Sequence, residues 1–439
     1  MKSNTITKKP LLLALITFTI MVFTSCQETV ISLEERLETL PDAEVTEMEG
    51  DSMFVSSYKI LLEQPLDHNN PAGITFPQKI YLSHIDSTLP VVVVTEGYAA
   101  RRNRPVELTR LLNCNQIIIE HRYFGESVPD SIDWQYMNTE QAANDHHRVI
   151  ELFKRAYPGE WVTTGVSKGG QTVMYHSFYF PDDVDIRVPY VAPLNFSEQD
   201  PRIYDFLRNV GTEECRQKIH DFQAMILKDK DIYFSMFQEY TTDRGYAFTR
   251  VTEEEAFEYS VLEYSFAFWQ HGRWECDDIP DSTYTEQEIF RHFSQVGGFN
   301  YFSDQGIKRF EPFFYQALTE IGYYGYDFSE FEGMLEEVTN PVFTFSAPRG
   351  VELNFNYQLM QDVKSYIQNR ANNFIFVYGE TDTWSATAVE LIGMTNSLKI
   401  VKPGGAHNTR IENLPVDLKE QVITTLEDWL ELEIDRSRI

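Results

Sequence analysis

Basic residues are scarce beside acidic ones. The 439-residue chain has 37 Lys and Arg against 67 Asp and Glu, a formal net charge of −30. A surface of that sign repels a phosphate backbone, which argues against nucleic acid as a partner. Cysteine is also scarce, four in all, too few for the disulfide framework of a small secreted scaffold. No His-Glu-x-x-His segment occurs, so the helical zinc-protease signature is missing. No apolar run reaches the roughly 20 residues that a membrane-spanning helix needs. Internal repeats and low-complexity tracts are likewise absent. What remains, 42% hydrophobic and 24% charged residues, is an ordinary globular composition.

The N-terminal 26 residues look like an address. Lys2, Lys8 and Lys9 precede the 13-residue stretch 11–23 of apolar residues and threonine, and Thr24-Ser25-Cys26 follows it. A basic segment, a short apolar segment and small residues form the pattern of a secretory signal. Small residues directly before a lone cysteine resemble a bacterial lipobox, which implies removal of residues 1–25 and lipidation of Cys26. The competing reading is ordinary cleavage with an incidental Cys26. The expected location is the cell envelope, with the membrane engaged only through that lipid. Residues 26–55 carry nine acids between Glu28 and Asp51 against one base, Arg36. They are expected to form an acidic tether with room for a short helix from Ser32 to Leu40.

From Ser57 to Ile85 apolar and polar residues alternate, which predicts an antiparallel strand pair. The runs Val91-Val92-Val93-Val94, Ile117-Ile118-Ile119 and Trp161-Val162-Thr163-Thr164 predict strands buried on both faces. Helical stretches over 139–156 and 168–178 alternate with them, and 188–192 reads as a further strand. Such alternation implies a mainly parallel α/β sheet. Residues 198–340 are helical in pattern and hold 31 of the chain's 61 Phe, Tyr and Trp. Sheet-like runs resume at 342–345, 374–377 and 398–401, and an amphipathic helix spans about 416–433. The expected organisation is an α/β core in two parts, 56–197 and 341–439, interrupted by a helical, aromatic-rich cap at 198–340.

Chemistry concentrates at Gly165-Val166-Ser167-Lys168-Gly169. A predicted strand runs into Gly-x-Ser-x-Gly and then a helix. A nucleophile at the tip of such a turn projects above the sheet, and the helix N-terminus offers N–H groups to a developing oxyanion. A serine needs a base, and the base needs an orienting carboxylate, in the chain order Ser, acid, His. Of the histidines after Ser167, only His407 follows the last sheet strands; His176, His220, His271 and His292 lie in the helix after the turn or in the insertion. The acid is Asp382, just past the strand 374–377, with Glu380 as its local competitor. For the oxyanion hole the Lys168 N–H is one donor, and the Tyr98 N–H in Glu96-Gly97-Tyr98 is the candidate for the second. His121, His146 and His147 are residue types that could ligate a metal, but adjacent helical positions diverge by about 100°, so no metal is expected.

The segment 164–172, with Phe180-Pro181-Asp182-Asp183-Val184-Asp185 and Tyr190-Val191-Ala192-Pro193, closely resembles the S37 serine peptidases. So do Gln64-Pro65-Leu66-Asp67-His68, Thr95-Glu96-Gly97-Tyr98, Asp145-His146-His147-Arg148 and Gly405-Ala406-His407. Glu120-His121-Arg122-Tyr123-Phe124-Gly125-Glu126-Ser127 also resembles the S28 prolyl carboxypeptidase and dipeptidyl-peptidase family. The resemblance implies an α/β-hydrolase fold with a helical cap, the triad Ser167, Asp382 and His407, no cofactor, and release of short peptides, tripeptides foremost, from free N-termini. Such selectivity needs a carboxylate for the substrate's α-ammonium; Glu96 and Glu120 are the candidates, and Glu253-Glu254-Glu255 reads better as a solvated helix face. Two other readings stand beside it: a lipase or esterase using the same triad, and a catalytically silent peptide-binding surface lipoprotein. Cys215 and Cys276, both in the insertion, are expected to pair in an oxidising compartment, leaving Cys114 a free buried thiol.

Overall fold

The computed structural model describes residues 31–438. The expected signal segment and Cys26 lie outside the described residues. Nine strands form one sheet: β1 (Ala43–Met48), β2 (Ser56–Pro65), β3 (Thr75–His84), β4 (Val91–Thr95), β5 (Asn115–Ile119), β6 (Trp161–Val166), β7 (Ile186–Tyr190), β8 (Ile375–Gly379) and β9 (Leu398–Lys402). Their spatial order is β1-β2-β3-β5-β4-β6-β7-β8-β9. The pairs β1/β2, β2/β3 and β3/β5 are antiparallel, and all others are parallel.

The continuous apolar runs have a direct use here. In β4, Val91 and Val93 face one side, packing with Ile117, Ile119 and the helix Thr139–Lys154 through Val149, Ile150 and Phe153. Val92 and Val94 face the other side, with Ile118, Val162 and the helix Val416–Leu430 through Val422, Ile423 and Leu426. A strand covered on both faces has no position for a polar residue. Together these features make the α/β-hydrolase fold that the sequence implies. Cap helices, among them Glu213–Lys228, Lys230–Asp243, Glu253–His271 and Asp304–Gln316, sit over the C-terminal strand ends. Their aromatic residues form one buried cluster that is continuous with the upper core.

The structure corrects two expectations. Residues 31–55 are not a tether. Ser32 caps the helix Leu33–Glu38 by accepting the Glu35 N–H at 3.1 Å, and Leu33 is buried against the core. β1 then pairs with β2 along its whole length, Ala43 opposite Leu62 through Met48 opposite Ser57. The acids Glu44 and Glu47 stand on an exposed edge strand, where charge blocks further strand pairing. Removing residues 31–50 is therefore expected to lower Tm by about 2 °C, since one buried Leu is worth roughly 2 kcal/mol. A thermal melt of the truncated chain checks this, and a solvated tether would leave Tm unchanged.

The second correction concerns 342–345, expected as a strand. Only Val342 forms a bridge, to Gly325, and Phe343–Ser346 is a 3-10 turn. Phe343 packs among Phe302, Phe314, Tyr323, Tyr324 and Tyr326, so the aromatic cluster claims it and the sheet does not. The chain returns to the core with the helix Leu359–Asn369, where Tyr366 hydrogen-bonds Ser177 at 2.9 Å, so 341–358 belongs with the cap.

Candidate active site

β6 ends in a turn that no ordinary side chain favours. Ser167 has φ 57° and ψ −121°, a left-handed conformation for a residue with a Cβ. Its N–H donates to the Tyr190 carbonyl at 2.9 Å, and its own carbonyl accepts from Gln171 N–H at the start of the helix Lys168–Tyr179. Gly165 permits this turn because a Cβ there would strike the Gly169 carbonyl. The cost of the strained backbone is met by these hydrogen bonds and by packing, and the outcome is a half-exposed hydroxyl above the sheet.

β8 and β9 deliver the other two groups. Asp382 follows the end of β8 and is fully buried; its carboxylate accepts the His407 Nδ1–H at 2.8 Å and the Trp384 N–H at 3.2 Å. The His407 backbone N–H donates to the Gln270 carbonyl of the cap helix at 3.0 Å. The Nδ1 bond fixes the tautomer whose Nε2 is a free acceptor. Glu380, the competitor, points elsewhere and accepts the Gly404 N–H at 2.8 Å. Among the described residues Ser167 Oγ takes no hydrogen bond, so the Asp–His pair is formed while the Ser–His link is not. Catalytic hydrogen bonds are commonly long in a ligand-free site and tighten around substrate. His271, at the end of the same cap helix, is pushed down by burial and then by Arg273 and His407, with Asp382 acting the other way.

A narrow cavity of about 20 Å³ opens at Ser167, lined by Tyr98, Lys168, Gln171, Pro193, Asn195, Phe313, Gly322, Tyr323 and Trp384. The turn carrying Tyr98 is held against the nucleophile helix. Gly97 has φ +71°, and a Cβ there would come within 2.6 Å of the Gly169 N. The Tyr98 N–H has no partner among the described residues, whereas its carbonyl accepts from His121 N–H at 3.1 Å. The Lys168 side chain is buried with no acceptor, its Nζ 5.7 Å from the Tyr98 ring and 5.8 Å from the Phe124 ring. Burial drives this amine well below the ordinary lysine range. Sequence reasoning missed the cavity's far wall, Phe313, Tyr323 and Trp384. Aromatic density marked the cap as a whole without singling out Phe313 or Tyr323, and Trp384, in the loop after β8, had no signal of its own.

Glu120 cannot serve as an amine receptor. It is fully buried, pairs with Lys79 at 2.9 Å, and accepts N–H groups from Ala100, Glu126 and Ser127 as well as the Ser127 hydroxyl. Every lone-pair direction is used, and the effect is to anchor the chain just beyond Tyr98. Glu96 is half-buried and raised by that burial, with Arg104 and Lys79 acting the other way, and it does not line the Ser167 cavity. Glu253, Glu254 and Glu255 form the first turn of the cap helix, where Glu255 completes a capping box with Thr252. Cys215 and Cys276 are joined in a disulfide within the cap, and Cys114 is a buried thiol. His147, Glu151 and Asp183 bring ligand atoms within 4.8 Å of one another, but the Asp183 oxygens already accept from His147 and His176. His146 turns away to the Ala142 carbonyl, and His121 bonds the Tyr175 hydroxyl.

Comparison with known proteins bears on the same residues. The family model described as PS-10 peptidase S37 matches residues 27–436. A prolyl tri/tetrapeptidyl aminopeptidase of Streptomyces mobaraensis is 30% identical over 409 residues, covering 90% of this chain and 84% of the relative. Solved structures resemble the chain more distantly. A proline iminopeptidase of Mycobacterium smegmatis is 12% identical over 84% of this chain and 99% of its own, with a TM-score of 0.39. The 2-hydroxy-6-oxo-6-phenylhexa-2,4-dienoate hydrolase of Rhodococcus sp. strain RHA1 is 11% identical over 89% and 100%, with a TM-score of 0.38. The match over nearly the whole chain is decisive, and the chain belongs to the S37 family of serine peptidases.

Proposed function

We propose that this peptidase removes short peptides, three or four residues long, from free N-termini by way of an acyl-enzyme on Ser167. The observation that carries the reading is the strained Ser167 turn beside a buried carboxylate that already orients an imidazole, 2.8 Å apart. In this reading Ser167 Oγ attacks the scissile carbonyl and His407 Nε2 takes its proton. Asp382 holds the imidazole and stabilises the imidazolium. The N–H groups of Lys168 and Tyr98 receive the oxyanion, each worth about 3 kcal/mol in such sites. His407 then protonates the leaving amine, and water releases the peptide. The name of the Streptomyces mobaraensis relative supports a tri- or tetrapeptide product and a prolyl preference.

The test has two parts. A fluorophosphonate probe is expected to label the wild-type protein and not Ser167→Ala; equal labelling of both would remove Ser167 as an activated nucleophile. Mass spectrometry of products from a free-amine peptide and its N-acetylated twin then gives fragment length and the amine requirement. Equal cleavage of the two would remove the exopeptidase reading, and turnover of short acyl esters alone would favour an esterase.

We also propose export and anchoring by a lipid on Cys26. The Lys2-to-Cys26 pattern supports it, and so does the Cys215–Cys276 disulfide, since such bonds persist in oxidising compartments. Intact mass of the chain from a membrane fraction, against a Cys26→Ser variant, tests this.

A further inference from the structure

A peptidase that demands a free N-terminus needs an anion where the α-ammonium comes to rest, and neither carboxylate expected from the sequence lines the Ser167 cavity. Most buried acids of the described residues have a cation or a histidine. Asp145 has Arg122, Asp183 has two histidines, Asp200 has Arg202, Glu120 has Lys79 and Glu258 has Lys230. Glu107 has none, but it is satisfied beneath the sheet by the Tyr190 hydroxyl and two backbone N–H groups. Glu320, likewise without one, accepts the Thr139 N–H at the start of the core helix Thr139–Lys154. Glu263 is different. It lies in the middle of the cap helix Glu253–His271, 6% exposed, and has no cation.

Its surroundings are phenolic. Glu263 Oε2 accepts the Tyr324 hydroxyl at 2.8 Å and the Tyr326 hydroxyl at 2.5 Å. Oε1 accepts no hydrogen bond among the described residues, yet it is not one of the sealed polar atoms. Beyond these lie the bonded hydroxyls of Tyr301 and Tyr323, which feel the same charge. Gly298 approaches the Glu263 stem and leaves space beside it. Tyr324 connects with the reaction site through Tyr323: Tyr323 lines the Ser167 cavity, its ring lies 4.4 Å from that of Tyr324, and Trp384 lies 5.5 Å from both.

We infer that Glu263, presented by Tyr324 and Tyr326, is the carboxylate that receives the α-ammonium of the peptide substrate. The inference rests on the exopeptidase reading above and adds the residue that enforces it. Two lengths agree. The cap helix touches the catalytic loops at Phe266, whose carbonyl accepts the Thr383 hydroxyl, and at Gln270, whose carbonyl accepts the His407 N–H. Glu263 lies seven residues before Gln270, about 10 Å along a helix. Three extended residues span about 10 Å as well. A tripeptide held by its third carbonyl at Ser167 has that reach, and its amine would lie on the side of Tyr323 and Tyr324, the rings that stand between the cavity and Glu263. Burial also holds the carboxyl up at about 7, with the two tyrosine bonds pulling the other way. An incoming cation relieves that cost.

The experiment compares a tripeptidyl anilide with its des-amino analogue, in which hydrogen replaces the α-ammonium. In Glu263→Gln, kcat/KM for the free-amine substrate is expected to fall about 100-fold, as for loss of one partner of a buried charge pair. The des-amino substrate should change by less than about twofold, and fluorophosphonate labelling of Ser167 should persist. Tyr326→Phe keeps the ring and removes one hydroxyl; it should weaken the free-amine substrate selectively and more mildly. A structural role would not predict a loss confined to the free-amine substrate. A carboxyl raised on folding destabilises the native state as pH climbs from the unfolded value towards 7, so Glu263→Gln should melt above wild type at pH 8, with the gap narrowing towards pH 5. Equal losses on both substrates, or retained discrimination in Glu263→Gln, would overturn the assignment while leaving the exopeptidase reading intact. A wild type that does not discriminate between the two substrates would overturn both.

Discussion

Ser167→Ala is expected to lower kcat by about 10⁶-fold, and Ser167→Gly to do the same while yielding the more stable protein. The first effect follows from covalent catalysis. Without the hydroxyl, His407 has no proton to accept, and only binding and oxyanion stabilisation remain, which leave roughly 10³–10⁴ of rate enhancement over water in triad hydrolases. The second follows from the backbone. At φ 57° the Cβ of Ser167 crowds its own backbone, a cost of about 1–2 kcal/mol per non-glycine residue. Alanine keeps that cost and glycine removes it. Glycine's greater freedom in the unfolded chain offsets part of the gain, so the expected difference between the two variants is about 1 kcal/mol. Chemical denaturation of Ser167→Ala and Ser167→Gly side by side measures it. Equal stabilities would mean that the turn is not strained and that the serine is not held there against a conformational cost.

What could be read in the sequence divides along physical lines. The buried strands were legible because burial on both faces forces unbroken β-branched runs, and Val91–Val94, Ile117–Ile119 and Trp161–Thr164 have no other economical placement. The elbow was legible because its glycines answer a local steric demand. Asp382 and His407 were legible through chain order, each just beyond a strand. The edge strand Ala43–Met48 was hidden because its acids face water, and a charge-rich stretch has the same composition whether it is an edge or a tether. Phe343 misled because an alternating aromatic run fits a strand as well as a cap turn, and only tertiary packing decides. Glu120 misled for a related reason: a carboxylate next to a catalytic turn can bind substrate or fasten the turn, and its partners Lys79, Ala100 and Ser127 are far from it or unremarkable in sequence. Glu263 gave no local signal at all, since its tyrosine partners lie more than 60 residues away.

The same distinction between fastening and reacting predicts the largest stability effect. Arg122 and Asp145 are both fully buried and paired through two hydrogen bonds of 2.7 and 2.8 Å. His68 adds a third bond to Asp145 at 2.7 Å. Arg122 also donates to the carbonyls of Leu66 at 3.0 Å, Tyr136 at 2.8 Å and Pro65 at 3.4 Å. It thereby ties the end of β2 and the loop before the helix Thr139–Lys154 to the segment that carries Phe124 beneath Tyr98. Arg122→Met is expected to cost about 3–5 kcal/mol, because it leaves a buried carboxylate uncompensated. In many proteins replacing both members of such a pair by apolar residues restores stability. Here Arg122→Met/Asp145→Leu should stay destabilised, since the buried carbonyls of Pro65 and Leu66 and the half-buried one of Tyr136 still lose this donor. Acid behaviour separates the two contributions. Burial is the largest single influence and would raise the Asp145 carboxyl, but Arg122 and His68 together outweigh it and hold the group below the usual range. The ionised form therefore stabilises the fold fully above an unfolded value near ~3.9, and that share is lost as pH falls through the lower folded value. Asp145→Asn should accordingly be destabilised at pH 7 and converge towards wild type in strong acid, as denaturation curves across that range would record. Convergence only above pH 5 would show that the carboxylate charge is not what Arg122 holds.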